Sequence, residues 1–308
     1  MISLPAFLGA IETGLIFALV ALGVFLTFRV LNFPDLTVDG SFALGAAICA
    51  VLIVKGWNPW LASVLAFAGG ASAGLVTATL HLRLKVLNLL ASILTMIALY
   101  SINIRVMSGP MVPLLGQKTV ISSAERFGIP SPWLAPLFML AVAAVVWLVY
   151  ALFLHSETGL AMRATGANPV MARANGVRTG RLVLLGLAIS NGLAALAGSL
   201  LAQLQGAADV TMGIGTIVIG LAAVIGGATL VPSRSLTGLT LACLFGSIVY
   251  HVIVALALNA TSLGLTASDV NIVTASLVCL ALALSGRAPG SKAANRNAAN
   301  HAVKSVQA

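Results

Sequence analysis

Long apolar segments separated by short polar connections make up most of this chain. About 20 consecutive apolar residues let a helix cross a bilayer, and on this basis we predict nine membrane helices. Their spans are 5–28, 36–54, 60–80, 86–107, 133–154, 182–204, 211–231, 235–258 and 268–285. Gly56, Asn58 and Pro59 mark the break between the second and third spans. Because no Lys or Arg precedes Arg29, the first span lacks the basic start of a signal peptide, and we expect a retained helix.

Composition supports a membrane protein. Of the 308 residues, 60% are hydrophobic and 7% are charged, and the mean hydropathy is +1.09. Soluble domains carry roughly 25% charged residues. The expected fold class is therefore an all-α polytopic membrane protein. The formal net charge of +9 is better explained by basic cytoplasmic loops than by a nucleic-acid partner, which we do not expect.

The distribution of Lys and Arg predicts the orientation. Twelve basic residues fall on one side of the predicted helices: Arg29, Arg83, Lys85, Arg163, Arg173, Arg178, Arg181, Arg234, Arg287, Lys292, Arg296 and Lys304. Four fall on the other side: Lys55, Arg105, Lys118 and Arg126. The positive-inside rule then predicts the N-terminus outside and the C-terminus inside. The predicted domains are a transmembrane domain, 1–286, and a disordered cytoplasmic tail, 287–308.

Signals for catalysis are weak. Residues 70–74 match the Gly-x-Ser-x-Gly pattern of serine hydrolases, but Ser72 falls inside a predicted helix and not at a strand-to-helix turn. The three cysteines lie in apolar runs without metal-ligand spacing, and the phosphate-binding Gly-x-x-x-x-Gly-Lys-Ser/Thr motif does not occur. We therefore expect no enzyme activity, no metal site and no cofactor on this chain.

The longest polar loop, residues 155–181, reads HSETGLAMRATGANPVMARANGVRTGR. Asn168 is a favourable N-cap, Pro169 suits the first helical position, and Gly176 suits the left-handed position after a helix end. The loop therefore predicts a short, capped, basic helix outside the bilayer. Such a helix is typical of a surface on which a partner docks.

This loop resembles the coupling-helix loop of ATP-binding-cassette (ABC) import permeases of the ribose and branched-chain amino acid type. The matching residues are Gly159, Arg163, Ala164, Gly166, Asn168, Ala172 and Gly176. The resemblance implies that this loop couples to the ATPase, and the candidate coupling residues are Gly159, Arg163, Gly166, Asn168, Pro169, Ala172, Arg173 and Gly176. The segment NFPDLTVDGSF, 32–42, is most similar to permeases linked to aromatic amino acid uptake, and Asp39 departs from the Gly usual in the sugar branch. Residues 216–230 also resemble the Ala/Val-rich run of this family's second half.

Two segments suggest an internal repeat. Residues 35–41 read DLTVDGS and residues 209–215 read DVTMGIG, and each opens an apolar segment. The predicted orientation places Asp35 on the inner side and Asp209 on the outer side. This is the arrangement of an inverted repeat, with four helices, one linking helix and four helices.

Polar residues in or beside the predicted helices are candidates for the transport pathway: Asp35, Asp39, Asn88, Ser92, Thr95, Asn191 and Asp209. Two interpretations of Asp35 and Asp39 remain open. Either they stabilise the start of the second helix as a cap and a first-turn carboxylate, or they line the pathway or a dimer gate. Ser101 and Asn103 are further polar residues of the fourth helix. The Asn88, Ser92 and Thr95 face either lines the pathway or forms hydrogen bonds between helices.

The resemblance implies a permease in the bacterial inner membrane that moves a small solute inward by alternating access. It implies a second permease copy, two ATP-binding subunits that hold ATP and Mg²⁺, an external solute-binding protein, and an amino acid substrate, with aromatic amino acids first. The external loop, 108–132, is either a connector or a docking surface for that binding protein. The alternative is an ion-coupled secondary transporter, suggested by the repeat and its carboxylates. The capped basic loop argues against that alternative because an ion-driven carrier needs no docking helix.

Overall fold

The computed structural model describes residues 4–124, 131–233, 235–259 and Ser276. Its helices are α1 Leu4–Val24, continued by a π-helical segment Phe25–Val30, α2 Thr37–Val54, α3 Pro59–Leu84, α4 Asn88–Met107, α5 Val120–Ala124, α6 Ser131–His155, α7 Glu157–Ala167, α8 Pro169–Ala174, α9 Thr179–Gln205, α10 Thr216–Leu230 and α11 Leu236–Asn259. Two short strands, β1 Met111–Pro113 and β2 Ala207–Asp209, complete the described part.

Seven of the described helices are long and apolar enough to cross a membrane, and they correspond to the first six predicted spans and the eighth. The seventh predicted span, 211–231, is the exception. Residues 210–215 form turns, so the helix there begins at Thr216 and has only 15 residues. The ninth span, 268–285, and the tail, 287–308, lie outside the described residues apart from Ser276. The count of nine therefore stays a prediction.

Helix ends follow local chemistry. The side chain of Asn58 accepts a hydrogen bond from the backbone N–H of Trp60 at 2.9 Å, and Pro59 occupies the first helical position of α3. Lys85 and Ser108 have positive φ angles of 56° and 57° and end α3 and α4. These breaks coincide with the polar connections from which the spans were predicted.

The centre of the bundle is α2, α3 and α9, which approach closely through small residues. A methyl group at Gly45 would overlap the carbonyl of Ala195, and one at Gly74 would overlap the carbonyl of Leu187. Gly70, one α-helical turn before Gly74, also meets α9. Small residues allow backbones to approach in this way in membrane proteins, so Gly70 and Gly74 serve the packing of α3 against α9.

The bundle has two distinct ends. At the first, which we call the loop end, Gly166 lies against the carbonyl of Val30, and Gly180 lies beside Leu82. The loop end therefore gathers the ends of α1 and α3 with α7, α8 and the start of α9. At the opposite sheet end, β1 and β2 pair in antiparallel fashion, with Met111 opposite Asp209. The sequence predicted no strands.

Gln203 connects the segment 108–124 to the bundle at the sheet end. Its Oε1 accepts a hydrogen bond from the backbone N–H of Val120, the first residue of α5, at 2.9 Å. Its Nε2 donates to Ser63 Oγ at 2.9 Å and lies 3.2 Å from Cys49 Sγ. The side chain of Gln203 is buried. The segment 108–124 is thus held against α2, α3 and α9 by the hydrogen bonds of one buried amide.

Two helices begin inside the bundle rather than at its surface. The first residue of α2, Thr37, is hydrogen-bonded to Thr77 in α3 at 2.8 Å, well before α3 ends at Leu84. The turns before α10 return from the sheet end and meet the first turn of α2, where Gly213 lies against the carbonyl of Asp39. From this point α2 continues to the sheet end, and α10 continues to the loop end.

Candidate functional site

Asp35 precedes α2 and is fully buried. One carboxylate oxygen accepts a hydrogen bond from the backbone N–H of Thr37 at 2.9 Å, and the other accepts one from Asn191 Nδ2 at 2.7 Å. Asn191 in turn accepts a hydrogen bond from Ser41 Oγ at 2.7 Å. The arrangement supports the capping interpretation of Asp35. It also connects Asn191 both to the segment just before α2, through Asp35, and to α2 itself, through Ser41.

Asp39 lies in the first turn of α2, but its carboxylate serves another helix. Its two oxygens accept hydrogen bonds from the backbone N–H groups of Ile217, at 2.8 Å, and Gly215, at 3.2 Å. These groups belong to the N-terminus of α10, which lacks intrahelical partners for its first N–H groups. The two interpretations left open for Asp39 were a first-turn carboxylate of its own helix and a residue that lines the pathway or a dimer gate, and neither included a bond to α10. The contact with α10 depends on residues 176 to 178 positions later in the chain.

Asp209 forms the same local turn as Asp35. Its carboxylate accepts hydrogen bonds from the backbone N–H and the hydroxyl of Thr211 at 2.7 and 2.5 Å. Both segments therefore use an Asp-x-Thr turn ahead of an apolar helix, although α10 starts five residues after Thr211. The inverted repeat and the membrane orientation stay predictions.

The remaining candidates on α4 bond within their own helix. Ser92 Oγ donates to the carbonyl of Asn88 at 3.0 Å, and Thr95 Oγ1 donates to that of Ala91 at 3.0 Å. Asn88 is half-buried at the start of α4. Thr95 also lines an apolar cavity of about 500 Å³ between α2, α3 and α4. Asn88, Ser92 and Thr95 do not line a separate cavity that lies beside Asp39.

A second cavity, of about 400 Å³, opens beside Asp39. The start of α2, the second half of α4 and the turns before α10 form its walls. Its lining residues are Asp39, Gly40, Ala43, Met96, Ile97, Tyr100, Ser101, Asn103, Val210, Gly213 and Ile214. This size falls within the roughly 300–1,000 Å³ of small-molecule sites. The polar pattern of α4 included Asn103, but only the structure brings it to the same cavity as Asp39.

At the loop end, the structure confirms the short helix predicted from the capping residues. Asn168 Oδ1 accepts hydrogen bonds from the backbone N–H groups of Val170 and Met171 at 3.1 and 3.0 Å, and Pro169 is the first residue of α8. Gly176 has a φ of +81°. Its N–H bonds to the carbonyl of Arg173 at 2.9 Å, and the next N–H, that of Val177, bonds to the carbonyl of Ala172 at 3.0 Å. This is a Schellman ending.

Several other residues of this loop that match the coupling-helix pattern are packed against neighbouring helices and are not exposed on the surface. A methyl group at Gly159 would overlap the end of α6, and one at Gly166 would overlap the carbonyl of Val30. Ala172 is buried. Arg163 is half-buried, and its Nε has no hydrogen-bond partner among the described residues. These residues hold α7 and α8 against the bundle, and their coupling role stays a prediction.

The exposed surface of α8 is apolar and basic. Val170 and Met171 are 67% and 65% exposed, and Arg173 and Arg178 are exposed beside them. Neither the exposure of these two apolar residues nor α7 was predicted from the sequence. Ser156 was the available signal for α7, since its Oγ accepts a hydrogen bond from Gly159 N at 3.3 Å. Exposed apolar side chains on a short helix that also carries an exposed arginine are suited to contact with another protein.

Comparison with known proteins shows the family to which this chain belongs. Residues 7–284 match the family described as branched-chain amino acid transport system / permease component. The chain belongs to this permease family. The permease is accordingly a multi-pass protein of the bacterial inner membrane, and its family is one of transport components rather than of catalysts.

Individual relatives agree with the family assignment. The permease is 38% identical over 270 residues to the tyrosine transport system permease protein of Clostridioides difficile, covering 87% of this chain and 88% of the relative. It is 30% identical over 234 residues to a probable branched-chain amino acid transport permease protein of Methanocaldococcus jannaschii, covering 71% and 72%. It is 26% identical over 202 residues to the ribose import permease protein of Escherichia coli K12, covering 63% and 60%.

A solved structure, PsaBC from Streptococcus pneumoniae in complex with Fab, has a similar fold. Its TM-score is 0.51 at 15% sequence identity, and the match covers 93% of this chain and 92% of that one. At this identity the likeness concerns the fold alone.

Proposed function

We propose that this permease is the translocating subunit of an ABC importer for an amino acid, with aromatic amino acids such as tyrosine as the first candidates. Two copies form the pathway. Two ATP-binding subunits dock on the loop end, and an external binding protein delivers the substrate at the sheet end. The main support is the exposed, doubly capped helix α8, together with the permease family. The aromatic substrate is supported by the 38% identical tyrosine permease.

In this proposal, α8 transmits the movement of the ATPase to the bundle. Asn168 and the Schellman ending make α8 rigid, while Val170 and Met171 supply the contact area and Arg173 supplies charge complementarity. The packing of Gly166 against Val30 connects α7 directly to the end of α1. Displacement of α7 and α8 would therefore move α1 and α9, which pack on the two helices that begin inside the bundle.

The alternative, an ion-coupled carrier, receives little support from the carboxylates. The oxygens of Asp35 and Asp39 already accept hydrogen bonds from helix N-termini or from Asn191. Both carboxylates therefore have structural roles at the starts of α2 and α10, and these roles do not call for a coupling ion.

The test is purification of the tagged permease with its genomic neighbours, followed by uptake of labelled L-tyrosine in proteoliposomes. We expect a stoichiometric ATPase and ATP-dependent uptake. Met171→Asp with Arg173→Glu should release the ATPase, because both changes reverse the character of the α8 surface. The matched control is Leu115→Asp, an apolar-to-acidic change at a residue that is 88% exposed at the sheet end. Uptake that follows an ion gradient and ignores ATP would overturn the proposal.

A further inference from the structure

The cavity beside Asp39 contains an unused hydrogen-bond acceptor. Asn103 is only 1% exposed, and its Oδ1 has no partner among the described residues. Its Nδ2 donates to the carbonyl of Gly40 at 3.3 Å, which fixes the orientation of the amide and leaves the oxygen as the free group. A buried acceptor without a partner is destabilising. The site therefore favours a ligand that brings a hydrogen-bond donor.

Asp39 adds negative charge to the same cavity. Two backbone N–H groups use one lone pair on each of its oxygens, and a carboxylate offers about four acceptor positions. The N-terminus of a helix carries only about half of a positive elementary charge. Among the described residues that line the cavity there is no Lys or Arg. Part of the negative charge of Asp39 is therefore not compensated by the protein and remains available to a cationic hydrogen-bond donor.

Apart from the hydroxyl groups of Tyr100 and Ser101, the rest of the cavity is apolar. Met96, Ile97 and Ile214 provide aliphatic surface, and Tyr100 provides an aromatic ring. Two acceptors at one side of an apolar cavity suit a molecule with one ammonium group and an apolar body. A sugar, by contrast, needs polar partners around its whole ring, and beyond Asp39 and Asn103 the lining side chains offer only the hydroxyl groups of Tyr100 and Ser101.

We propose that this cavity is a substrate subsite that binds the ammonium group of the transported amino acid between Asp39 and Asn103 Oδ1, while Met96, Ile97 and Tyr100 contact its side chain. This inference rests on the proposed function and names its substrate class by the group recognised. It also explains why the chain has a carboxylate at position 39 where the sugar permeases that it resembles usually have Gly.

An ammonium group could also come from a lipid headgroup, since phosphatidylethanolamine carries one. The experiment separates these sources through the bilayer composition. The permease–ATPase complex is placed in nanodiscs of phosphatidylglycerol alone, and a parallel set contains half phosphatidylethanolamine. Amino acid recognition predicts binding in both sets with the same affinity.

Binding is measured for L-tyrosine and for 3-(4-hydroxyphenyl)propionate, which lacks only the amino group. We expect L-tyrosine to bind at least about tenfold more tightly, as for a charge-assisted hydrogen bond. Asn103→Leu and Asp39→Asn should reduce this ratio towards one without weakening the deaminated probe. Asp39→Asn keeps a cap for α10, because one amide oxygen can accept from two N–H groups, as Asn168 does in α8. Thr79→Val is the control and should leave the ratio unchanged, because Thr79 is a half-buried residue of α3 outside this cavity whose hydroxyl bonds to the carbonyl of Leu75 in its own helix.

Equal affinity for the two probes in the unaltered complex would overturn the subsite. An unchanged ratio in both cavity variants would do the same. Loss of L-tyrosine affinity only in the phosphatidylethanolamine set would assign the cavity to lipid. Retention of the ATPase is recorded in each preparation, so failure of the subsite is distinguishable from failure of the importer assignment.

Discussion

The contact between Asp35 and Asn191 should be one of the strongest side-chain interactions in the bundle. We consider the variants Asp35→Leu, Asn191→Leu and their combination. The Asn191 change removes the donor to Asp35 at 2.7 Å and the acceptor of Ser41 Oγ at 2.7 Å. The Asp35 change removes the N–H acceptor at the start of α2 and leaves Asn191 Nδ2 with only the carbonyl of Leu187, at 3.0 Å. Each single variant leaves a buried polar group without its partner.

The magnitude follows from burial and from the membrane environment. Hydrogen bonds to charged groups contribute about 1.5–3 kcal/mol in soluble proteins. Double-mutant cycles within membrane helices average about 0.6 kcal/mol and reach about 1.7. Asp35 and Asn191 are both fully buried, and each carboxylate oxygen is bonded. We therefore expect a coupling free energy near the upper membrane value, about 1.5 kcal/mol, with the double variant more stable than the sum of the single losses.

The assay is reversible unfolding in mixed micelles with increasing SDS, followed by circular dichroism. Ser190→Ala is the matched control, because Ser190 adjoins Asn191 and is buried, but its hydroxyl has no hydrogen-bond partner among the described residues. Its loss should leave the free energy of unfolding unchanged or slightly raised. Additive single losses, with a coupling below about 0.3–0.5 kcal/mol, would refute the assigned contact.

Three further outcomes are expected. Asn168→Ala should weaken retention of the ATPase during purification by loosening α8 at a cost of about 1 kcal/mol, whereas Asn168→Ser should largely preserve it. Gln203→Leu should expose the segment around Val120 to limited proteolysis from the sheet end, because it removes the only acceptor assigned to that N–H in the described residues; unchanged cleavage would contradict this. Gly45→Ala should lower the yield of folded permease on size-exclusion chromatography, since overpacking against Ala195 costs about 1–3 kcal/mol, and a normal yield would show that α2 and α9 are farther apart.

Features encoded within one turn of the chain were predictable from the sequence. Asn168, Pro169 and Gly176 specify α8, because caps act on N–H and C=O groups one to four residues away. A cap at the start of α2 was one of the two interpretations left open for Asp35, and its carboxylate does accept the N–H of Thr37, the first residue of α2. By the same rule α7 was detectable from Ser156 but was missed, because it follows α6 with only one residue between them.

Features that join distant segments were not predictable. The turns at 210–215 shorten the predicted span 211–231, and α10 can begin inside the bundle because Asp39 supplies acceptors for its N–H groups. The pairing of β1 with β2 involves three-residue strands, which carry too little periodicity to stand out beside long apolar helices. Asn103 was visible as a polar residue in α4, but its free oxygen becomes meaningful only next to Asp39.

The sequence by itself determined the membrane environment, most helix spans, the capped loop and the family resemblance, because these depend on apolar length and on contacts between near neighbours in the chain. The tertiary structure decided which helix each carboxylate serves, which glycines touch a neighbouring backbone, and which polar atom remains free in the cavity. These outcomes depend on how helices far apart in sequence are brought together. In a water-poor interior every N–H and C=O needs a partner, and only the packed bundle determines where that partner comes from.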